Sequence, residues 1–179
     1  MRDGLFQILA ICTGNICRSP MAEGLIRVRL SARAAEFATV GSAGIAAVPG
    51  VPASVHSVEA CRRHDIDIRS HRSSPLTKAM IEDADLLLVM EEHHRAAILR
   101  ADPGAIDRTF LISEYALQGE GPGLAFGEEK AGPGYRSPGI DDPIGQDIEA
   151  YLDVFGRLDD YITRAMPRIE ASVDSSFRR

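Results

Sequence analysis

Leu5 to Cys12 (LFQILAIC) is a short apolar run closed by Thr13-Gly14-Asn15, the length and boundary of a buried strand. Beyond it, Met21, Leu25, Val28 and Ala32 recur at i, i+4, i+7 and i+11 after Ser19-Pro20. That spacing predicts an amphipathic helix with Pro20 at its first position, where no backbone N–H is missed, and Glu23 in its electropositive first turn. Phe37 to Val40, followed by Gly41-Ser42-Ala43-Gly44, reads as a second strand and Ser54 to Arg63 as a helix. Ala84 to Met90 (ADLLLVM) reads as a fully buried third strand, Glu91 to Arg100 as a helix stopped before Asp102-Pro103-Gly104, and Arg108 to Ile112 as a fourth strand. Ile148, Leu152, Phe155, Leu158 and Ile162 give a final helix one apolar face; Pro167 is expected to end it, leaving Ser172 to Arg179 frayed.

Apolar strands alternating with helices predict a three-layer α/β fold, a mostly parallel sheet with helices on both faces and ligands beyond the carboxyl ends of its strands. Residues 118–139 are dense in Gly and Pro and read as a loop insertion. The expected organisation is a single domain over 1–166 carrying that loop, then a tail over 167–179. A chain of 179 residues, 45% hydrophobic, supports one core. Its formal charge of −6 argues against a nucleic-acid or anionic-membrane partner, so an anionic substrate needs a local positive site. Three cysteines, Cys12, Cys17 and Cys61, are too few and too odd for a secreted disulfide framework and point to a reducing, cytoplasmic compartment. The apolar run at the start is too short for a signal segment, and no stretch approaches the roughly 20 apolar residues of a membrane span.

The chemistry concentrates in Cys12-Thr13-Gly14-Asn15-Ile16-Cys17-Arg18-Ser19-Pro20, between a buried strand and a helix N-terminus. A Cys followed six residues later by an Arg means little alone, since about 0.3 such pairs arise by chance at this composition. The setting gives it weight. Gly14 and Asn15 tolerate left-handed backbone angles, so the loop can curl until its N–H groups point inward as an anion nest backed by the helix dipole. Arg18 closes the ring with a planar fork matched to two phosphate oxygens. Cys12 lies at the floor, where the same donors favour its thiolate, the form that attacks phosphorus.

This loop resembles the phosphate loop of the low-molecular-weight protein tyrosine phosphatases, Cys-x-Gly-Asn-x-Cys-Arg-Ser-Pro, and the resemblance runs over about residues 5–165. Gly41 to Gly44, Asp67 to His71, Asp85 to Met90 and Asp142-Pro143 match further family segments. The family implies a four-stranded parallel sheet, no metal or other cofactor, and a two-step reaction through a cysteinyl-phosphate. Carried over by residue, the resemblance makes Cys12 the nucleophile, Arg18 the phosphate clamp and Asp142 the general acid and base. The loop residues Thr13, Gly14, Asn15, Ile16, Cys17 and Arg18 bind the phosphate. Ser19 supports the thiolate, and Asn15 braces the loop through Ser19, Ser42 and His71. Asp141, Ile140 and Ile144 are expected to surround Asp142 with like charge and apolar atoms, which favours the protonated acid. Cys17 is placed for a reversible disulfide with Cys12.

The sequence departs from the family pattern where many members carry aromatics: it has Ile144 after Asp142-Pro143, and Ile45 to Pro49 after the second strand. Tyr135 is a candidate to close over the pocket instead. Members resembling protein arginine phosphatases tend to carry Thr where this chain has Ile16, which favours an aryl phosphate, while Ile144-Gly145 keeps phosphoarginine as an alternative. Arsenate reduction on this scaffold needs two further Cys, and only Cys61 remains. A non-catalytic phosphate-binding module needs neither thiolate nor acid. His93 and His94, being adjacent, are expected to point apart into solvent rather than to hold a metal. The expected partner is a phosphorylated protein or small aryl phosphate, acted on by a monomer or weak dimer.

Overall fold

A computed structural model describes residues 4–117 and 139–177; the Gly/Pro-rich segment, with Tyr135, otherwise lies outside them. The strands are β1 (Phe6–Cys12), β2 (Ala38–Gly44), β3 (Leu86–Val89) and β4 (Thr109–Leu111), all parallel, in the order β2-β1-β3-β4. The helices are α1 (Arg18–Arg29), α2 (Ala32–Phe37), α3 (Val55–Arg62), α4 (Lys78–Asp83), α5 (Glu92–Ala101), α6 (Ile112–Leu117) and α7 (Ile148–Phe177), with a 3₁₀ turn over Pro103–Arg108. This is the three-layer α/β arrangement expected from the pattern.

The two central strands are apolar throughout because both faces are covered. Ile8, Ala10 and Cys12 of β1 and Leu86 and Leu88 of β3 face a core built with α1, α3 and α7, whereas Leu9, Ile11, Leu87 and Val89 face a smaller core with Ile81 of α4 and Ile98 of α5. The period of two therefore places Cys12 on the α1 and α7 side. Strand order reverses at β1, whose neighbours β2 and β3 lead in opposite directions, and the crevice of such a sheet opens at the carboxyl end of that strand. Cys12 is the last residue of β1.

Several expectations are corrected. α1 begins at Arg18, so Pro20 is its third residue and Glu23 lies beyond the first turn. Val28 is 57% exposed and Ala32 belongs to α2; the buried face of α1 is Met21, Ala22, Leu25 and Ile26. Phe37 closes α2 rather than opening β2. Pro167 does not end the last helix, which continues to Phe177, so the stretch from 167 to 177 is helical rather than a frayed tail. The interrupted backbone bond, worth about 3 kcal/mol, is outweighed because Met166, Ile169 and Val173 continue the buried stripe of Leu158 and Ile162. Glu170 also accepts from the Ser31 N–H at 2.8 Å, Arg33 lies 3.4 Å from Asp174, and the rings of Phe37 and Phe177 meet at 4.9 Å.

Deleting residues 167–179 removes two fully buried side chains, Ile169 and Val173. Chemical denaturation of the truncated chain should show roughly 3–6 kcal/mol less stability; an unchanged midpoint would mean that this segment is a dispensable tail.

Candidate active site

The loop between β1 and α1 is shaped by Asn15, whose φ of 54° is the left-handed turn that bends it back. Gly14, expected to share that role, has an ordinary negative φ. Asn15 is buried, and its amide is anchored at both ends: Nδ2 donates to Ser19 Oγ and Ser42 Oγ, both at 2.9 Å, and Oδ1 accepts from the Ser74 N–H at 2.8 Å. His71 Nε2 donates at 2.8 Å to the Asn15 backbone carbonyl rather than to its side chain. Ser42, holding an Asn15 proton, donates its own to Glu23 Oε2 at 2.6 Å, and Ser19 Oγ lies 3.0 Å from Cys12 Sγ, to which it donates when the sulfur is a thiolate. The Asn15 N–H reaches the same sulfur at 3.2 Å.

The loop carbonyls are tied outward. Cys12 and Thr13 accept from the N–H groups of Ile45 and Ala46, Ile16 from that of Ser54, and Cys17 from the Ser57 hydroxyl. With these oxygens engaged outside, amides rather than carbonyls are what the loop can offer to an anion. Gly44 makes the close approach of β2 possible, since a Cβ there would sit 2.6 Å from the Thr13 carbonyl and 2.9 Å from Asn15 N.

Arg18 is buried behind this loop, its guanidinium held from three sides: Nη1 donates to Glu91 and, at 2.8 Å, to the Ile140 carbonyl, while Nη2 donates to Asp142 and, at 3.4 Å, to Thr13 Oγ1. Its Nε–H is buried and has no partner among the described residues. Asp142 thus faces a cation. Of the neighbours expected to press on it, Asp141 turns to Arg157 at 3.6 Å, Ile144 is 54% exposed, and only Ile140 is buried beneath. The structure therefore brings together Cys12, Thr13, Asn15, Arg18, Ser19, Ser42, His71 and Asp142.

Sequence reasoning missed Glu91 and His94. His94 is buried, not solvated, and lies with its ring centroid 3.9 Å from that of His93, so the two do not point apart. Its Nδ1 accepts the Glu91 N–H at 3.0 Å, and its Nε2 lies 3.0 Å from Thr13 Oγ1. Burial, with His93 and Arg18 nearby, pushes its pKa down to about 3. Glu91, His93 and His94 bring potential ligand atoms within 4.8 Å of one another. However, Glu91 is committed to Arg18 and the His94 Nδ1 lone pair to a backbone N–H. The signal for Glu91 was an acidic residue one step beyond an apolar parallel strand, at the edge where such sheets bind ligands.

Of the remaining cysteines, Cys17 lies 3.4 Å from the Tyr151 hydroxyl and 3.7 Å from Ser54 Oγ, and burial raises its pKa. Cys61, packed in α3, is pushed up to about 12 by burial, which suits a core thiol and not a relay.

A model of the low molecular weight phosphotyrosine protein phosphatases matches residues 7–123. The chain belongs to this family. Among its low-molecular-weight phosphatase relatives, the Ralstonia solanacearum protein named probable low molecular weight protein-tyrosine-phosphatase EpsP is 33% identical over 164 residues, 92% of this chain and 96% of that protein. The protein-arginine-phosphatase of Bacillus subtilis is 32% identical over 163 residues, 91% and 96% of the two chains. Among solved structures, the YwlE arginine phosphatase from Geobacillus stearothermophilus superposes with a TM-score of 0.75 at 32% identity, covering 93% of this chain and 94% of that one. The tyrosine phosphatase Wzb from Escherichia coli K30, in complex with sulphate, gives 0.72 at 30% identity, over 92% and 99%.

Gly44→Ala should displace the phosphate loop and weaken inorganic phosphate binding by roughly tenfold or more, the scale of about 1.4 kcal/mol. Gly41→Ala is the matched control on the same strand, because its Cβ would meet only Leu9 Cδ1 at an ordinary 3.6 Å. Calorimetric titration with phosphate checks both; equal affinities in the two variants would refute the close-approach argument.

Proposed function

We propose that the protein is a metal-independent cysteine phosphatase that hydrolyses phosphomonoesters, above all protein phosphotyrosine. The observation that carries this reading is the buried Arg18 fork, with a spare Nε–H, set behind a loop whose cysteine sulfur receives two donors and whose far side holds a carboxylate. Cys12 attacks phosphorus as a thiolate, and the bond to the leaving oxygen breaks as Asp142 delivers a proton to that oxygen. The amides of Thr13 to Arg18 and the Arg18 fork take up the charge spread over the equatorial oxygens. In the second step Asp142, now a carboxylate, takes a proton from water, whose oxygen attacks phosphorus. The P–S bond then breaks, and the Ser19 hydroxyl steadies the departing thiolate. Nucleophile, acid and charge stabiliser all come from the chain. Asn15, Ser42 and His71 brace the loop. Three cysteines without a disulfide pairing support a cytoplasmic location, and the buried Arg18 guanidinium with its spare Nε–H, a local positive site in a chain of net charge −6, supports a phosphorylated protein or small aryl phosphate as the partner; the protein acts as a monomer or weak dimer. No described helix is long and apolar enough to cross a membrane.

Phosphoarginine is the second reading, favoured by relatives named arginine phosphatases that match as well as those named tyrosine phosphatases. Against it stands Ile16, half-buried on the loop, which offers no hydroxyl to a guanidinium. Paired phosphotyrosine and phosphoarginine peptides should be hydrolysed in favour of the former, and Ile16→Thr should shift the ratio toward the latter.

Hydrolysis of p-nitrophenyl phosphate should persist in EDTA and vanish in Cys12→Ser. Asp142→Asn should slow phenyl phosphates with poor leaving groups far more than activated ones; equal slowing would remove the acid role.

Cys17 supports a redox role as well: peroxide converts the Cys12 thiolate to a sulfenic acid, Cys17 sulfur attacks it, and water leaves as the disulfide forms. Peroxide inactivation should be reversed by dithiol in the wild type and not in Cys17→Ser, with identical recovery in both counting against the disulfide.

A further inference from the structure

We infer that His94 is a positioning residue for the phosphate loop, presenting an Nε2–H to Thr13 Oγ1 and thereby fixing the Thr13 hydroxyl as an additional donor to the phosphoryl group. The inference rests on the phosphatase reading above. It starts from the tautomer. The backbone N–H of Glu91 points at His94 Nδ1, 3.0 Å away, so that nitrogen accepts and carries no proton. In a neutral imidazole the proton is then on Nε2, which donates to Thr13 Oγ1 at 3.0 Å. The ring stays neutral through the working range of a phosphatase because its pKa lies at about 3.

Thr13 Oγ1 has two lone pairs and one proton. One lone pair takes the His94 Nε2–H and the other the Arg18 Nη2–H at 3.4 Å. Neither partner has an acceptor to offer in return, so the Thr13 hydroxyl proton can only be given away. His93 Nε2, 3.5 Å distant on the exposed side, lies within reach of it. The same Arg18 Nη2 also holds Asp142. A phosphoryl oxygen that takes Asp142's place on that nitrogen therefore arrives beside Thr13 Oγ1 and is a stronger acceptor than an imidazole. Without His94, Oγ1 regains a free lone pair and its rotor is no longer committed. The corner after β3 thus supplies two hooks: the Glu91 carboxylate on Arg18, and the His94 ring on Thr13.

The test uses two side chains that divide the functions of His94. Asn at this position keeps an acceptor near Nδ1 for the Glu91 N–H and deletes the donor to Thr13; Gln places an amide nitrogen near Nε2. His94→Asn and Thr13→Val should each lower kcat/KM for p-nitrophenyl phosphate by roughly 10- to 100-fold. The double variant should be no worse than Thr13→Val alone, and His94→Gln and Thr13→Ser should each recover much of the loss. Wild-type rates in Thr13→Val, or losses in the two single variants that multiply in the double, would overturn the proposal, because the two residues would then act separately. Thr13→Val keeps the test decisive even if His94→Asn folds poorly. Tungstate affinity, measured by calorimetry on the same set, reads the pair independently of turnover. An inactive wild type would therefore count against the phosphatase reading, whereas equal tungstate affinity across the variants would count against the Thr13–His94 pair.

Discussion

One left-handed residue, anchored through both ends of its side-chain amide, organises this molecule. At φ 54° Asn15 bends the loop after β1 into a cup, and the cost of that conformation is offset by an amide that spends both its N–H groups and one oxygen lone pair on Ser19, Ser42 and Ser74. Those partners come from α1, from β2 and from the segment before α4, so the cup forms only when the three have assembled around β1. His71 then closes the backbone of the same residue. In this sense the candidate site is a readout of the completed fold: the donors on the Cys12 sulfur are oriented by contacts that lie one residue further out, through Ser19 and Asn15 itself. A substitution at Ser74 or Glu23 acts on the sulfur without touching it.

Arg18 introduces the opposite constraint. A buried guanidinium needs compensation, and here it has two carboxylates, Glu91 and Asp142, one on each terminal nitrogen. The two are not equivalent. Glu91 extends from the corner after β3, whose Met90 is bonded to Ile11 of β1, and so belongs to the rigid sheet. Asp142 belongs to the segment before α7, where Ile144 is exposed. Under the proposed function an incoming phosphate takes over the Asp142 side while Glu91 keeps the fork in plane.

Much of this was legible from the residues. β1 and β3 were readable because strands covered on both faces become continuous apolar runs, and the loop was readable because Cys12, Asn15 and Arg18 occupy fixed places between strand and helix. What the pattern did not show has physical reasons. α2, α4 and α6 span six residues each, too short for a helical period to declare itself, and Phe37 suits a strand by propensity yet is claimed by a helix that packs on α7. Pro167 is a local breaker overruled by distant packing. His94 was misjudged because two adjacent histidines on a regular helix diverge by about 100°, whereas here the ring folds back to accept the N–H that precedes its own helix. Gly14 and Asn15 both tolerate a left-handed angle, and of the two only Asn15 adopts it.

The position of Arg18 also determines how a substrate finds the site. The chain carries a formal charge of −6, and Arg18, the cation that the proposed function sets against the phosphate, is buried and already balanced by two carboxylates. Little positive field escapes to solvent, where screening erases what remains beyond about 8 Å. Under the proposed function a phosphate is therefore not drawn in from a distance; it is exchanged for Asp142 on contact. Encounter is left to diffusion and to whatever else the phosphorylated partner presents, and the discrimination between a phosphate dianion and the many weaker anions of a cell takes place at the last step, where an anion must outcompete a resident carboxylate to stay.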